Sequence, residues 1–223
     1  MELNENEVLE PFYGDKKIIQ NVRLYRFTSD SILLSKFARA KYGDKVADFC
    51  SGSGVVGFHF LCINPTLVSS LTLFEMQESL ADMSRRTALL NGFECRVENV
   101  RIQDIGAEYD DAFSLILCNP PYEKSGFDNE VYERAVCRKE LTLTLAEIVE
   151  AAFRKLKFGG RFAVINRADR AAELLFLLKK RGLEPKRLQF VAGTAAAKPY
   201  LVMVEAVKGG KEGCEVLPTA VNG

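Results

Sequence analysis

Four consecutive residues, Asn119-Pro120-Pro121-Tyr122, carry the sharpest chemical signal in the chain. They follow an apolar run, Phe113-Ser114-Leu115-Ile116-Leu117-Cys118, that reads as a buried strand. Two prolines cannot extend a central strand, because they donate no ladder hydrogen bond. They hold the backbone stiff and extended at the strand's carboxyl end. The Asn119 side chain and the Pro120 main chain then offer two carbonyl acceptors. Such a pair can grip both protons of a planar NH2 group and turn its nitrogen lone pair toward an electrophile. Tyr122 supplies a flat face on which a base can stack. The plainer alternative is a rigid turn followed by a core tyrosine.

Upstream, a first strand over Lys45 to Phe49 runs into Asp48-Phe49-Cys50-Ser51-Gly52-Ser53-Gly54-Val55-Val56-Gly57. Gly52, Gly54 and Gly57 satisfy GxGxxG, and Glu75 ends the second strand. Glycines let the backbone approach a ligand, the following helix presents free amides, and a carboxylate accepts from ribose hydroxyls. Three readings share this pattern: an adenosylmethionine site, a dinucleotide site, and a glycine turn with no ligand. Asp48 shifts the balance, because a carboxylate there repels a pyrophosphate but suits an ammonium. Asp48 could equally cap a turn, and Glu75 could face solvent. Asp104, after the third strand, is placed to meet an adenine amine.

What is missing agrees with alkyl transfer to a nitrogen. The chain has one histidine, His59, in the helix after the glycine loop, where packing is its expected role. Methyl transfer from a sulfonium needs alignment more than a strong base. The six cysteines form no CxxC pair, so buried thiols are expected rather than zinc or disulfides, and no metal is implied. No apolar run reaches the length of a membrane span. The acidic start, Met1-Glu2-Leu3-Asn4-Glu5-Asn6-Glu7, leads us to expect no signal peptide and a cytoplasmic protein. Formal net charge is zero, but between Ala151 and Leu188 eleven basic residues face three acidic ones. A second basic group is Lys16, Lys17, Arg23 and Arg26. Both are either solvated faces or a phosphate-contacting surface.

The elements that must position these groups alternate along 223 residues, a length suited to one domain. The N-terminal part carries β character over Lys17 to Arg26 and a helix through Ile32, Leu33, Leu34 and Phe37. After Gly43, strands are expected at Lys45–Phe49, Leu71–Phe74, Arg96–Val100, Ala112–Cys118, Arg161–Asn166, Leu188–Val191 and Leu201–Val207. Helices are expected near Val55–Cys62, over Gln77–Leu90 with Gly92 as its stop, over Leu141–Leu156 closed by Gly159-Gly160, and over Arg170–Lys180. Leu80, Met83, Thr87 and Leu90 would share the buried face of the second. The alternation predicts an α/β, Rossmann-like, doubly wound sheet of seven mostly parallel strands with an antiparallel edge. Residues 1–43 read as an N-terminal β/helix extension packing on the core, 44–208 as the core, and 209–223 as a loose tail. Glu123 to Lys139 lacks periodicity and leaves from a strand end, where open α/β sheets bind ligands.

Taken together, the chain resembles the class I, Rossmann-like methyltransferases. Within them it looks most like the bacterial adenine-N6 methyltransferases acting on valine tRNA beside the anticodon. The resemblance rests on Gln20, Tyr25-Arg26-Phe27-Thr28-Ser29-Asp30 with Leu33-Leu34, Asp48 to Gly54, Glu75, Asn119 to Tyr122 and Glu140. Leu156-Lys157-Phe158-Gly159-Gly160-Arg161-Phe162 and Gly209-Gly210 add to it. It implies S-adenosyl-L-methionine as cofactor, held by Asp48, Gly52 and Glu75, with Asp104 at its adenine and Asn119 to Tyr122 on the target amine. The full expected cofactor set is Asp48, Cys50, Ser51, Gly52, Gly54, Glu75, Met76, Asp104 and Asn119. Asn119, Pro120 and Tyr122 are expected to be catalytic, with Pro121, Tyr122, Asp30, Lys16 and Arg26 on the substrate. The sequence departs from the family at Cys50, where a glycine is usual, and at Phe158, where LKPGG has proline.

The preferred expectation is an RNA adenine-N6 methyltransferase, monomeric, with tRNA as its partner. The same tetrapeptide also serves methylation of a protein glutamine amide or of a guanine amine. A nicotinamide-dependent oxidoreductase would account for GxGxxG but gives the tetrapeptide no task. A non-catalytic RNA-binding relative is the fourth alternative.

Overall fold

A computed structural model describes residues 3–23, 29–121 and 143–222. The expected loop at Glu123 to Lys139, the helix start at Glu140, Tyr122 and Arg26 lie outside the described residues. The chain opens with a hairpin, β1 (Glu7–Tyr13) and β2 (Lys16–Asn21), followed by α1 (Ser29–Phe37). The core then runs β3 (Asp44–Phe49), α2 (Val55–Ile63), β4 (Val68–Glu75), α3 (Glu78–Asn91), β5 (Arg96–Asn99) and β6 (Phe113–Cys118). It continues with α4 (Leu145–Lys155), β7 (Leu156–Arg167), α5 (Ala171–Arg181), β8 (Leu183–Ala192) and β9 (Leu201–Lys208).

The seven core strands lie in the order β8-β9-β7-β6-β3-β4-β5. Strands β3 to β7 pair parallel, and β9 inserts antiparallel between β7 and β8. Order reverses between β3 and β6, so a crevice opens at their carboxyl ends, the usual ligand position in such sheets. Each face has its own core. Phe49, Phe74, Cys118, Ile148 and Leu178 fill one, under α4 and α5. Leu34, Phe58, Leu73, Leu117 and Ala88 fill the other, under α1, α2 and α3.

Element ends follow local chemistry. α4 starts at Thr144, whose side chain accepts the Glu147 N–H while the Glu147 carboxylate accepts the Thr144 N–H. That capping box sets the start of α4 at Leu145; Leu141, where the helix is expected to begin, lies outside the described residues. The helix also ends before Gly159-Gly160, which instead turn the chain inside β7, Gly159 at φ +73. Gly92 closes α3 in the left-handed conformation, as its spacing suggests. Leu90, expected on the buried face, is exposed, and Ala81, Ser84 and Ala88 share that face with Leu80, Met83 and Thr87.

The tail departs from the expectation of a loose end. Its residues form β10 (Glu215–Val216) and β11 (Ala220–Val221), both parallel to β8. Leu217 and Asn222 donate main-chain bonds to Leu188 and Ala192. An unpaired β8 edge provides those acceptors, and composition alone does not reveal them.

Candidate active site

The glycine loop is built by backbone conformation. Cys50, Gly52 and Gly54 all have left-handed φ, at 55, 56 and 87°. A Cβ on Gly54 would sit 2.4 Å from the Phe58 ring, and one on Gly57 2.7 Å from the Leu73 side chain. Gly54 is thus needed for the turn and Gly57 for the close seat of α2 on β4. Cys50 does without glycine, and the conformation lets its side chain join the face under α4, against the cluster that holds Phe49 and Cys118. Burial, with Cys50 as neighbour, pushes the Cys118 thiol well up.

Three side chains share one face of the sheet. Asp48 pairs in register with Leu73 on β4 and with Leu117 on β6. Glu75 and Asn119 each lie two residues beyond those partners, so the three project together toward α1 and α2 at the strands' carboxyl ends. Hydrogen bonds confirm that side. Asp48 Oδ2 accepts the Gly57 N–H of α2 at 2.8 Å, and Asn119 Nδ2 donates to Ser31 Oγ of α1 at 3.0 Å. Asp48 and Glu75 are brought to the glycine loop itself, since Glu75 Oε2 accepts the Gly52 N–H at 2.8 Å and Oε1 the Gln77 N–H at 2.9 Å.

The site is polar beyond its own needs. Asp48 is fully buried, and its Oδ1 and the Ser51 Oγ find no hydrogen-bond partner among the described residues. Burial pushes the Asp48 carboxyl up to about 8, against the pull of the Gly57 bond, and Glu75 adds a smaller push. Buried polar groups are normally paired. Two orphans at one glycine loop, one of them an acid held partly neutral, match a ligand that brings a cationic donor and a hydrogen-bonding end. The donor set therefore fits the ammonium and ribose of an adenosylmethionine, and it fits a pyrophosphate poorly.

Other expected residues are less tightly gathered. Met76 is half-buried beside Glu75, and its carbonyl accepts from Asn99. Asp104 lies exposed in a single 3-10 turn after β5. Pro120 is buried and Pro121 exposed at the mouth, and Asp30 sits in the first turn of α1 beside Ser31. Lys16 is not brought to this group. It starts β2 and reaches the last turn of α3, 3.5 Å from the Asn91 carbonyl, at the opposite end of the hairpin strand from Gln20.

Three contributors had no assigned role in the sequence. Gln20 Nε2 donates to Ser53 Oγ at 2.5 Å, Ser84 Oγ donates to the Gly52 carbonyl at 3.0 Å, and Ser31 meets Asn119. Serines and glutamines carry no spacing signal, and each acts here across many residues of sequence. The basic stretch is also different in kind from its appearance. Lys155, Arg161 and Arg187 are buried on Asp110, Asp44 and Glu205, and Arg170 and Arg181 pair with Glu173 and Glu150. Much of it is internal wiring.

Among known proteins, the methyltransferase small domain family matches residues 28–181. The tRNA1(Val) (adenine(37)-N6)-methyltransferase of Bacteroides thetaiotaomicron is 23% identical over 174 residues, 72% of this chain and 73% of its own length. A protein of the same name from a Flavobacteriaceae bacterium is 25% identical, over 81% of this chain and 82% of its own. The solved structure of a predicted O-methyltransferase from Agrobacterium tumefaciens superposes with a TM-score of 0.68 at 18% identity, covering 86% of each chain. With the glycine loop, the acidic strand ends and the Asn-Pro-Pro turn together at the carboxyl ends of β3, β4 and β6, the chain belongs to the methyltransferase small domain family, as a class I, S-adenosylmethionine-dependent methyltransferase.

Proposed function

We propose that the protein methylates the exocyclic N6 amine of an adenine in RNA, the adenosine beside the anticodon of valine tRNA being the target. The observation that carries this reading is the position of Asn119 beside Asp48 and Glu75 on one face of the sheet. The relatives' names support the tRNA substrate, and no helix among the described residues is long and apolar enough to cross a membrane.

Asp48, Ser51, Gly52 and Glu75 hold the methyl donor, with Cys50, Gly54, Met76 and Asp104 completing its surroundings. S-adenosylmethionine, bound there, supplies a methyl carbon made electrophilic by its sulfonium. The Asn119 Oδ1 and Pro120 carbonyl accept the two N6 protons, so the amine lone pair is fixed in direction. Acceptors aimed at a nitrogen that gains positive charge also stabilise the transition state. Alignment of this kind can lower a barrier by about 7–11 kcal/mol. His59 takes no part, since its Nδ1 is 2.7 Å from Ser35 Oγ between α1 and α2. The base must leave its stack to reach the turn, which costs least in an open loop, and Tyr122, Pro121, Asp30 and Arg26 would receive it.

Nucleoside mass spectrometry of total tRNA treated with the protein and S-adenosylmethionine tests this. A new N6-methyladenosine peak is the expected outcome. Methyl transfer to a release-factor glutamine or to a guanine amine, with no change in tRNA, would overturn the substrate while keeping the chemistry.

A further inference from the structure

A single exposed tyrosine on a folded surface usually needs no explanation. Tyr200 differs, because each of its polar groups is already bonded. Its N–H donates to the Val191 carbonyl at 2.9 Å, its carbonyl accepts the Ala168 N–H at 2.9 Å, and Asn222 Nδ2 donates to its Oη at 2.8 Å. The residue is therefore fixed at its backbone and at the tip of its ring, yet it stays 42% exposed. A flat face held in place and open to water can receive a second flat group with little further loss of side-chain freedom.

Its position in the sheet says what that group is. Cys118 at the end of β6 pairs with Val164 of β7, and Arg167, three residues further along β7, pairs with Leu201 of β9. Tyr200 precedes Leu201 and so stands at the carboxyl ends of β6 and β7. Two strand spacings, about 10 Å, separate it from the line of β6 and the Asn119-Pro120-Pro121 turn. The Asn222 amide that holds the ring also donates to Ser29 Oγ at 2.8 Å. Ser29 opens α1, and two residues on Ser31 meets Asn119. Ring, first turn of α1 and Asn-Pro-Pro turn thus border one mouth. Lys198 is exposed two residues before Tyr200, in the same loop.

A base whose amine is held at Asn119 lies beyond reach of the ring, but the next nucleotide of the same strand does not. Enzymes that take a base out of its stack also grip the nucleotides beside it. An aromatic face with a neighbouring cation is the combination that holds unpaired nucleotides, the ring on the base and the ammonium on the backbone. We propose that Tyr200 is a stacking platform for the unpaired base next to the target adenine, with the Lys198 ammonium at the adjoining phosphate. This rests on the proposed RNA substrate. Every base has a flat face, so the platform holds the strand without reading its sequence. It serves RNA affinity and takes no part in methyl transfer.

The test is a cycle between protein and RNA, read on the anticodon stem-loop of valine tRNA. Y200L keeps apolar bulk and loses the aromatic face, while Y200F keeps the face and loses the hydroxyl. Y200L is expected to raise Kd and KM for the stem-loop by roughly 5- to 100-fold, with kcat and S-adenosylhomocysteine affinity changed less than about threefold. Y200F is expected to stay within about threefold of the wild type throughout. Stem-loops with an abasic site at each position flanking the target complete the cycle. One of them is expected to cost the wild type roughly 5- to 100-fold in Kd and to cost Y200L less than about threefold, because the ring then has no base to hold. Equal costs in both proteins at every flanking position overturn the proposal, as does unchanged RNA affinity in Y200L. A merely structural role would lower kcat, S-adenosylhomocysteine affinity and thermal stability together, and that pattern overturns it too. The two readings fail separately. Stem-loop binding with a positive cycle but no methylation removes the adenine-N6 reading and keeps the platform, whereas methylation indifferent to Y200L removes the platform and keeps the reading.

Discussion

Gln20 of the N-terminal hairpin donates to Ser53 in the glycine loop at 2.5 Å, and both residues are buried. The same amide also donates to the Ile19 carbonyl, and Thr87 of α3 accepts the Ile19 N–H at 3.2 Å. The hairpin is thereby a brace that spans from α3 to the cofactor loop. Q20A removes a buried donor and leaves a gap behind it. A loss of about 1–3 kcal/mol in stability is expected, together with weaker binding of S-adenosylhomocysteine. Thermal unfolding and titration calorimetry check both. Unchanged affinity with lowered stability would mean that the brace supports the fold and not the loop.

Asp48 gives a pH dependence with a definite sign. Its folded carboxyl stands at about 8, above the usual 3.8, chiefly through burial. The stabilising share of its proton is thus complete at pH below about 4 and is lost as pH rises through about 8. The ligand-free protein should lose stability over that window, and D48N should flatten the curve. Binding a cationic ammonium reverses the preference and expels the proton. Affinity for S-adenosylhomocysteine should rise toward pH 8, with proton release at pH 7 visible as a buffer-dependent enthalpy. Calorimetry in two buffers of different ionisation enthalpy would reveal no difference if Asp48 were already ionised.

Legibility in the sequence followed the range of each interaction. The strand positions and the acidic strand ends are legible because apolar runs, Gly52, Gly54 and Gly57 act locally, whereas the order of the strands in the sheet is set by pairing between distant segments. Asn119 was readable because Pro120 and Pro121 restrict their own backbone. The hairpin partner β1 was hidden, since Pro11 breaks its alternation and Glu7 looks like a surface charge. In the fold Glu7 accepts two bonds from Arg86 on α3, whose guanidinium holds its carboxyl low. Ser31 was hidden for a related reason, because its partner is 88 residues away and a helical serine advertises nothing. The pairing of the tail is not legible in the sequence because strand addition to β8 uses main-chain groups.

Cys50, a non-glycine residue, adopts a left-handed φ of 55°. Such a conformation costs a non-glycine residue roughly 1–2 kcal/mol. C50G relieves it but frees the unfolded chain, at a cost of about 0.4–1 kcal/mol. The net expectation is a small gain, below about 1 kcal/mol. C50V, with a β-branched side chain in the same conformation, should lose at least about 2 kcal/mol. Gly54 bounds the scale from the other side, because its Cβ would meet the Phe58 ring, and G54A should be worse than G52A, which meets nothing within 4 Å. Denaturant midpoints order the four variants. A C50G protein clearly less stable than the wild type would show that contact with the Cys118 cluster outweighs the strain.

Arg161 decides how far the basic stretch can serve RNA. Its Nη2 lies 2.6 Å from both oxygens of Asp44, at the start of β3 and so at the opposite end of that strand from Asp48. Ser114 Oγ donates to the same carboxylate at 2.7 Å, and the Arg39 carbonyl accepts from Arg161. Removing one partner of a buried pair strands the other charge, at about 3–5 kcal/mol. R161M should therefore lower stability by about that amount, with no change in S-adenosylhomocysteine affinity of the folded fraction. Adding D44N should recover part of the loss, since the stranded charge is gone. RNA affinity should respond instead to Lys198 and Arg101, which lie in the loops after β8 and β5, at the same end of the sheet as Asn119. Neutralising both should flatten the slope of log affinity against log salt by about 1–2. A slope unchanged in that double variant would show that neither cation contacts RNA.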